Sequence, residues 1–196
     1  MSRVRAPESA IRLKVTLKGL KPPVWRRLLV EDTTSLGDLH VAVQAAMGWD
    51  DRHLHLFMAG REAIGDPRQL DDVEDEADVT VGEVAALGWK SFAYVYDLGD
   101  DWEHTVRVEG MEPLEPSRAY PACIAGKRAC PPEDSGGPWG FASKLKAVAD
   151  PGDDRHADLE EWLGEFDPEA FSVEAAEARV RGWFAARPRR LPRSRG

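Results

Sequence analysis

Cysteine is scarce in this chain, and long apolar runs are absent. Only two of the 196 residues are cysteine, Cys123 and Cys130, which argues against the disulfide framework that small secreted domains carry. No apolar run approaches the ~20 residues that a membrane-spanning helix needs. The charged N-terminal segment is not followed by the apolar stretch of a signal peptide. These absences predict a cytoplasmic protein without membrane association.

Acidic residues are missing from the last ten positions, which instead contain five arginines: Arg187, Arg189, Arg190, Arg193 and Arg195. The whole chain carries a net charge of −9, so the remainder without these arginines carries −14. Such a body repels phosphate backbones and disfavours nucleic-acid binding through the folded part. The tail alone could bind nucleic acid or an acidic partner. Alternatively, it is a solvated segment interrupted by proline.

The hydrophobic periodicity predicts an α+β fold. Alternation over residues 12–17 and the run 24–30 predict a hairpin, and Ser35 before a helical stripe that ends at Gly48 predicts one early helix. Further strands are expected at residues 53–59, 91–96 and 102–109, a short helix at 81–87, and helices after Phe141. Residues 61–79 are interpreted as an acidic loop around a weak strand, and residues 113–138 as irregular.

We therefore expect a single domain over residues 1–186. Its core is a mostly antiparallel, curved sheet crossed by the early helix and followed by a C-terminal helical segment. Residues 187–196 form a basic, disordered tail in this interpretation.

The first candidate site is the acidic turn between the strands predicted at residues 91–96 and 102–109. Asp100 and Asp101 precede Trp102 and His104, and the two-residue period of a strand turns Trp102 and His104 towards the core. His104 is then either a ligand or general base, or a buried histidine satisfied by a carboxylate or carbonyl group.

A second segment, residues 48–55, repeats this combination of an Asp pair, a Trp and a His. If the two segments meet, a hard-cation site could form, and our predicted metal ligands are His55, His104, Asp100 and Asp101. The wider set of candidates adds Asp50, Asp51 and His53. Asp pairs beside tryptophan are also common in turns and caps, so the pattern leaves a structural role open.

The two thiols, Cys123 and Cys130, are separated by six residues, too many for a standard zinc knuckle. A looser zinc site with His55 or His104, a nucleophilic thiol activated by the nearby Lys127 and Arg128, and two structural thiols are the alternatives. Free thiols fit a reducing compartment best.

Several aromatic and charged residues are candidates for binding a ligand or partner. Trp25 and Arg26 could stack a base or peptide, or could simply open an edge strand. A glycine-rich loop before Trp139 could hold an anion on its amides, but it lacks the lysine of a phosphate-binding loop. The full predicted binding set is Trp25, Arg26, Trp49, Asp50, Trp102 and Trp139.

Four motifs in this order resemble the plasmid pRiA4b ORF-3-like family: residues 21–27, residues 39–40 with 48–55, residues 96–104 and residues 130–140. The resemblance spans about residues 11–184 and implies similarity to passenger proteins of insertion elements, some of which carry a resolvase-type label. It supplies no catalytic residues. A recombinase is not supported, because Ser2 and Ser9 precede the first strand, and because His104 and Arg107 face opposite sides of theirs.

The sequence therefore favours a non-catalytic binding or interaction module associated with mobile elements, whose partner is an unidentified protein. A metal-dependent hydrolase or nuclease that uses the Asp and His residues is the alternative, and it would need a divalent metal. Nucleic-acid binding through the arginine tail is the third hypothesis.

Overall fold

The computed structural model describes residues 6–187. Its strands are β1 (Ser9–Leu17), β2 (Trp25–Glu31), β3 (His55–Ala59), β4 (Glu62–Gly65), β5 (Glu74–Asp75), β6 (Ser91–Tyr96), β7 (Trp102–Pro113) and β8 (Ala122–Lys127). Its helices are α1 (Leu36–Met47), α2 (Val81–Ala86), α3 (Gly137–Val148), α4 (His156–Leu163) and α5 (Val173–Ala186). The predicted α+β class is confirmed.

All eight strands form one open sheet in the order β5-β4-β3-β6-β7-β1-β2-β8. Every pairing is antiparallel except that of β4 with β5. Strand β7 pairs with both β6 and β1, and it buries Trp102, His104 and Val106 while the residues between them are more exposed. This alternation is the one that the sequence predicts for His104.

Helix α1 begins and ends where the sequence predicts. The Ser35 side chain accepts a hydrogen bond from Asp38 N, and Gly48 ends the helix in the left-handed conformation, at φ 99°. Nearly every residue of α1 is buried, because the helix packs against both the sheet and α5. The Thr80–Glu83 capping box that opens α2 is also confirmed.

Two local predictions were wrong. Residues 113–138 are not irregular throughout, since β8 lies within them and pairs with β2. Residues 61–79 contain two short strands, β4 and β5, instead of one weak strand. In both cases the strand is formed by long-range pairing that overrides a composition rich in proline, glycine or acidic residues.

Among residues 6–187, we find no helix with the length and apolar character that a membrane crossing requires. The predicted tail lies outside the described residues except for Arg187, whose guanidinium is 3.5 Å from Asp38 Oδ1.

Candidate functional site

The two segments that combine an Asp pair, a Trp and a His meet where three neighbouring strands in the middle of the sheet begin or end. His55 pairs with Tyr96 and Tyr96 pairs with Trp102, so the start of β3, the end of β6 and the start of β7 lie side by side. Asp97 N donates to Leu54 O at 2.8 Å and extends the contact beyond the strands. The indole of Trp49 stacks on the Tyr96 ring at a centroid distance of 4.9 Å.

A third motif, residues 130–140, packs over these strand ends. Trp49 Nε1 donates to Pro131 O at 2.9 Å, and Gly136 N donates to Asp100 Oδ2 at 2.8 Å. These two bonds hold the glycine-rich loop against the segment 48–55 and against the acidic turn. Three motifs that are far apart in the sequence therefore form one continuous region.

Three ligand-type side chains converge in this region, one from each motif. His53 Nε2 lies 3.1 Å from Asp134 Oδ1 and 3.6 Å from Asp97 Oδ2, and the ligand atoms of the three residues lie within 4.8 Å of one another. We call His53, Asp97 and Asp134 the His53 triad. Asp97 is fixed by its other oxygen, because Oδ1 accepts from the amides of Gly99 and Asp100 at 3.0 and 3.2 Å.

The two distances from His53 Nε2 to the carboxylate oxygens are close to those found in a metal chelate. Two atoms bound to the same ion at ~2.1 Å and at angles between octahedral and tetrahedral lie ~3.0–3.4 Å apart. The distance to Asp134 falls in this range, and a small movement of Asp97 brings the other into it. His53 Nε2 is buried and makes no hydrogen bond, although carboxylate oxygens of Asp134 and Asp97 lie 3.1 and 3.6 Å from it.

One member of the His53 triad, Asp134, lines a cleft of about 380 Å³. The Asp134 side chain is 67% exposed. The remaining walls come from the end of α1, the loop after β8 and the helical segment; they include Trp49, Asp50, Arg52, Cys130, Glu133 and Trp162. A ligand in the cleft would therefore reach the triad through Asp134.

A second group, His40, Asp51 and His55, has ligand atoms within the same 4.8 Å limit. Its geometry favours a hydrogen bond from each histidine to a carboxylate over a shared metal ion. The two imidazole rings are stacked at a centroid distance of 3.4 Å and are parallel within 5°. Ring-nitrogen lone pairs lie in the ring plane, so parallel rings do not direct them at one ion. Each ring has its own carboxylate: His40 Nε2 is 2.8 Å from Asp51, and His55 Nε2 is 2.6 Å from Glu76.

Hydrogen bonding assigns the proton of His40. Gln44 Nε2 donates to Tyr94 Oη, which leaves the Tyr94 hydroxyl to donate to His40 Nδ1, so that Nε2–H points to Asp51. Burial lowers the pKa of His40, although the hydrogen bond with Asp51 raises it. A neutral His40 that donates to Asp51 satisfies this network without a metal.

The predicted metal ligands are placed differently from one another. His55 belongs to the paired group just described. His104 is fully buried, with Nδ1 3.3 Å from Tyr94 O, and burial lowers its pKa to about 4. Asp100 bonds to the loop amide of Gly136, and Asp101 is an exposed turn residue at φ 54°. Within residues 6–187, no metal-type group contains His104, Asp100 or Asp101.

The predicted binding residues also differ in their surroundings. Trp49 and Trp102 are buried core residues, whereas Asp50 is exposed at the cleft and Trp139 is 89% exposed. Trp25 is half-buried, with the cations of Lys14 and Arg27 at 4.7 and 5.2 Å from its ring. Arg26 is buried and bonds to backbone carbonyls, which is a structural role.

Both thiols are free. Burial raises the pKa of Cys123 to about 11 and that of Cys130 to about 12, with Arg26 opposing the shift in both. These protonated thiols are poor nucleophiles. Neither belongs to a metal-type group within the described part of the chain.

Sequence reasoning placed His53 among the wider candidates but did not single out Asp97 or Asp134 as ligands. Asp97 has the appearance of an ordinary turn residue, and Asp134 lies in a loop that we had considered for anion binding. The sequence does contain one ligand-type residue in each of three motifs. Only the structure shows that these three residues meet.

Comparisons with known proteins agree with one another. The family model described as "Plasmid pRiA4b ORF-3-like protein" matches residues 9–175. The "Uncharacterized protein y4hQ" of Sinorhizobium fredii is 40% identical over 165 residues, which are 81% of this chain and 83% of that protein. A crystal structure of a protein of unknown function from Methanosarcina mazei Go1 is similar at a TM-score of 0.80 and 38% identity, covering 86% of this chain and 98% of that one.

Proposed function

The chain belongs to the plasmid pRiA4b ORF-3-like family, and we propose that it is a binding module that holds one divalent metal ion in the His53 triad. The observation that carries this proposal is the buried, unbonded Nε2 of His53, which lies 3.1 and 3.6 Å from carboxylate oxygens on two other segments. The ion would present its open positions to a ligand in the adjoining cleft.

The donor set indicates the class of ion. One imidazole and two carboxylates suit Mn²⁺, Fe²⁺ or Zn²⁺, because carboxylate favours the harder ions and imidazole the transition metals. Three protein ligands leave coordination positions that an anionic group of the ligand can fill. A carboxylate or phosphate group is therefore the expected point of attachment in the cleft.

Metal titration of the full chain tests the proposal. Metal-free protein is titrated with Mn²⁺ and with Zn²⁺ by calorimetry, in the wild type and in the His53→Gln, Asp97→Asn and Asp134→Asn variants. We expect one site per chain and a loss of affinity of at least ~10-fold in each variant. The control is His156→Gln, since His156 lies outside the triad and its Nδ1 is 3.3 Å from Ala147 O.

Two results would contradict the proposal. One is a wild-type protein that takes up neither ion, and the other is a His53→Gln variant that binds as the wild type does. Retained affinity in the His156→Gln control separates loss of a ligand from a general effect of removing a histidine.

A metal-dependent hydrolase is the second candidate, and the cleft that Asp134 lines favours it, because a substrate there would lie beside the proposed ion. Turnover distinguishes the two functions. Hydrolysis of a phosphodiester or ester that requires Mn²⁺ and disappears in Asp134→Asn would support the enzyme. Metal and ligand binding without turnover would support the module.

The cellular setting is also part of the proposal. The family description names a plasmid open reading frame, which supports association with mobile elements. Two free thiols support a reducing compartment such as the cytoplasm. The exposed side chains of Trp139, in the first turn of α3, and of Leu98, on the acidic turn, support a protein partner beside the His53 triad.

A further inference from the structure

One buried tyrosine and one glutamate bond directly to each other and to the segment that carries His53. The Tyr96 hydroxyl donates to Glu133 Oε1 and accepts from the amide of Arg52 at 2.9 Å. Glu133 Oε2 accepts from the amide of Asp50 at 3.0 Å. Together these bonds connect the end of β6, the turn after α1 and the glycine-rich loop.

In each of these three segments, the residue that makes the hydrogen bond directly precedes a member of the His53 triad. Arg52 precedes His53, Tyr96 precedes Asp97, and Glu133 precedes Asp134. We propose that Tyr96 and Glu133 are a positioning pair that sets the convergence of His53, Asp97 and Asp134. As a statement about metal affinity, the inference rests on the proposed function; as a statement about segment geometry, it does not.

The surroundings of Tyr96 make it suitable for this role. Its ring is stacked on Trp49 and contacts the edge of the His53 ring at a centroid distance of 5.9 Å. Burial, followed by the bond to Glu133, raises the pKa of Tyr96 well above its ordinary value. The phenol therefore remains a donor to Glu133 throughout the physiological range.

Amide hydrogen exchange without metal tests the geometry. Tyr96→Phe removes the hydroxyl and keeps the ring, and we expect the Arg52 amide to exchange several-fold faster, because one hydrogen bond is lost. Tyr94→Phe is the matched control: Tyr94 lies on the same strand, but its hydroxyl bonds to His40 and Gln44. Unchanged exchange at Arg52 in Tyr96→Phe would overturn the positioning pair.

Mn²⁺ affinity tests the consequence for the triad. We expect Tyr96→Phe to weaken binding by about 10-fold or more, as supporting residues of metal ligands do, with no such loss in Tyr94→Phe. Glu133→Ala should weaken it further, and Glu133→Gln should lie between Ala and the wild type because it keeps one of two acceptor oxygens. Since Tyr96→Phe changes no charge, its effect cannot be attributed to the electrostatics of Glu133.

The two measurements have separable outcomes. If the wild type binds neither Mn²⁺ nor Zn²⁺, the proposed function fails, and amide exchange alone still decides whether Tyr96 holds the segment. If the wild type binds Mn²⁺ and the Tyr96 and Glu133 variants bind equally well, the positioning pair is wrong while the metal site stands.

Discussion

Gly137 lies against the backbone of Asp100, so closely that a β-carbon at residue 137 would stand 2.2 Å from the Asp100 carbonyl oxygen. The glycine also adopts a φ of +67°, which side chains other than glycine rarely take. The contact joins the glycine-rich loop to the acidic turn. Asp134 on the loop and Asp97 on the turn both lie close to His53, with the ligand atoms of the three residues within 4.8 Å of one another.

Gly137→Ala tests the importance of this close approach. Adding the β-carbon forces the loop and the turn apart, and we expect a loss of about 2–4 kcal/mol in the free energy of unfolding, from steric overlap and backbone strain together. The triad should separate with them, so Mn²⁺ affinity should fall as well. Urea unfolding and metal titration of one variant measure both effects.

Gly88→Ala is the control for backbone strain. Gly88 has a similar φ of +78°, but a β-carbon there would meet no atom within 4 Å. It should cost only about 1 kcal/mol and leave metal affinity unchanged. Equal losses in the two variants would show that the Asp100 contact does not matter.

His104 should make the stability depend on pH in a defined window. Burial lowers its pKa from 6.5 to about 4 in the folded protein, so below pH 6.5 the unfolded chain binds a proton that the folded chain does not. The stabilisation is complete above pH 6.5 and is lost as the pH falls towards 4. At pH 4 the loss should reach about 3 kcal/mol.

His104→Phe isolates this contribution, because phenylalanine has a similar shape and does not titrate. Between pH 7 and 4, the unfolding free energy of the wild type should fall by about 3 kcal/mol more than that of the variant. Parallel pH profiles from urea unfolding would show that His104 is not the group responsible.

Local structure was well predicted where the signal is local. Ser35 and Gly48 delimit α1 through hydrogen bonds and a φ value that depend on adjacent residues, and strand parity gave the burial of His104. By contrast, β8 exists because β2 provides a pairing partner about a hundred residues earlier in the chain. No property of its own proline-rich surroundings predicts that partner.

The candidate site shows the same division. The sequence indicated that acidic residues and histidines in two motifs could form a site if they met, and the structure brings the motifs together. The ligands themselves were not predictable, because His53 and Asp134 become neighbours only through a loop anchored at Trp49 and Asp100. The alternation of buried and exposed residues along the strand predicted that His104 is buried. It could not show that, within residues 6–187, no carboxylate faces the ring.

The cysteines should react slowly in the folded protein. Because burial raises the pKa of Cys123 to about 11 and that of Cys130 to about 12, the thiolate fraction at pH 8 is on the order of 100-fold below that of an exposed cysteine for Cys123 and on the order of 1,000-fold below it for Cys130. Alkylation should therefore be slow in buffer and fast for both thiols in denaturant. A thiol that reacts rapidly in the native state would contradict this, and Cys130→Ser would identify which one it is.

Arg26 should be costly to replace, because its buried guanidinium bonds to several backbone carbonyl oxygens. Its Nε donates to Ala46 O at 2.8 Å, and its Nη1 bonds to Trp25 O, Lys127 O and Arg128 O. The guanidinium also lies 4.2 Å from the ring centroid of Phe171. One side chain thus connects the end of α1, the end of β8 and the segment before α5.

Arg26→Lys tests this connection while keeping the charge. A lysine ammonium cannot reach acceptors on both sides of a planar guanidinium, so buried carbonyls lose their donors and the unfolding free energy should fall by about 3 kcal/mol. Arg27→Lys is the adjacent control, since Arg27 forms a pair with Glu109 near the surface and should cost less than about 1 kcal/mol. If urea unfolding gave equal losses for the two variants, the buried carbonyl contacts of Arg26 would contribute no more to stability than a surface ion pair does.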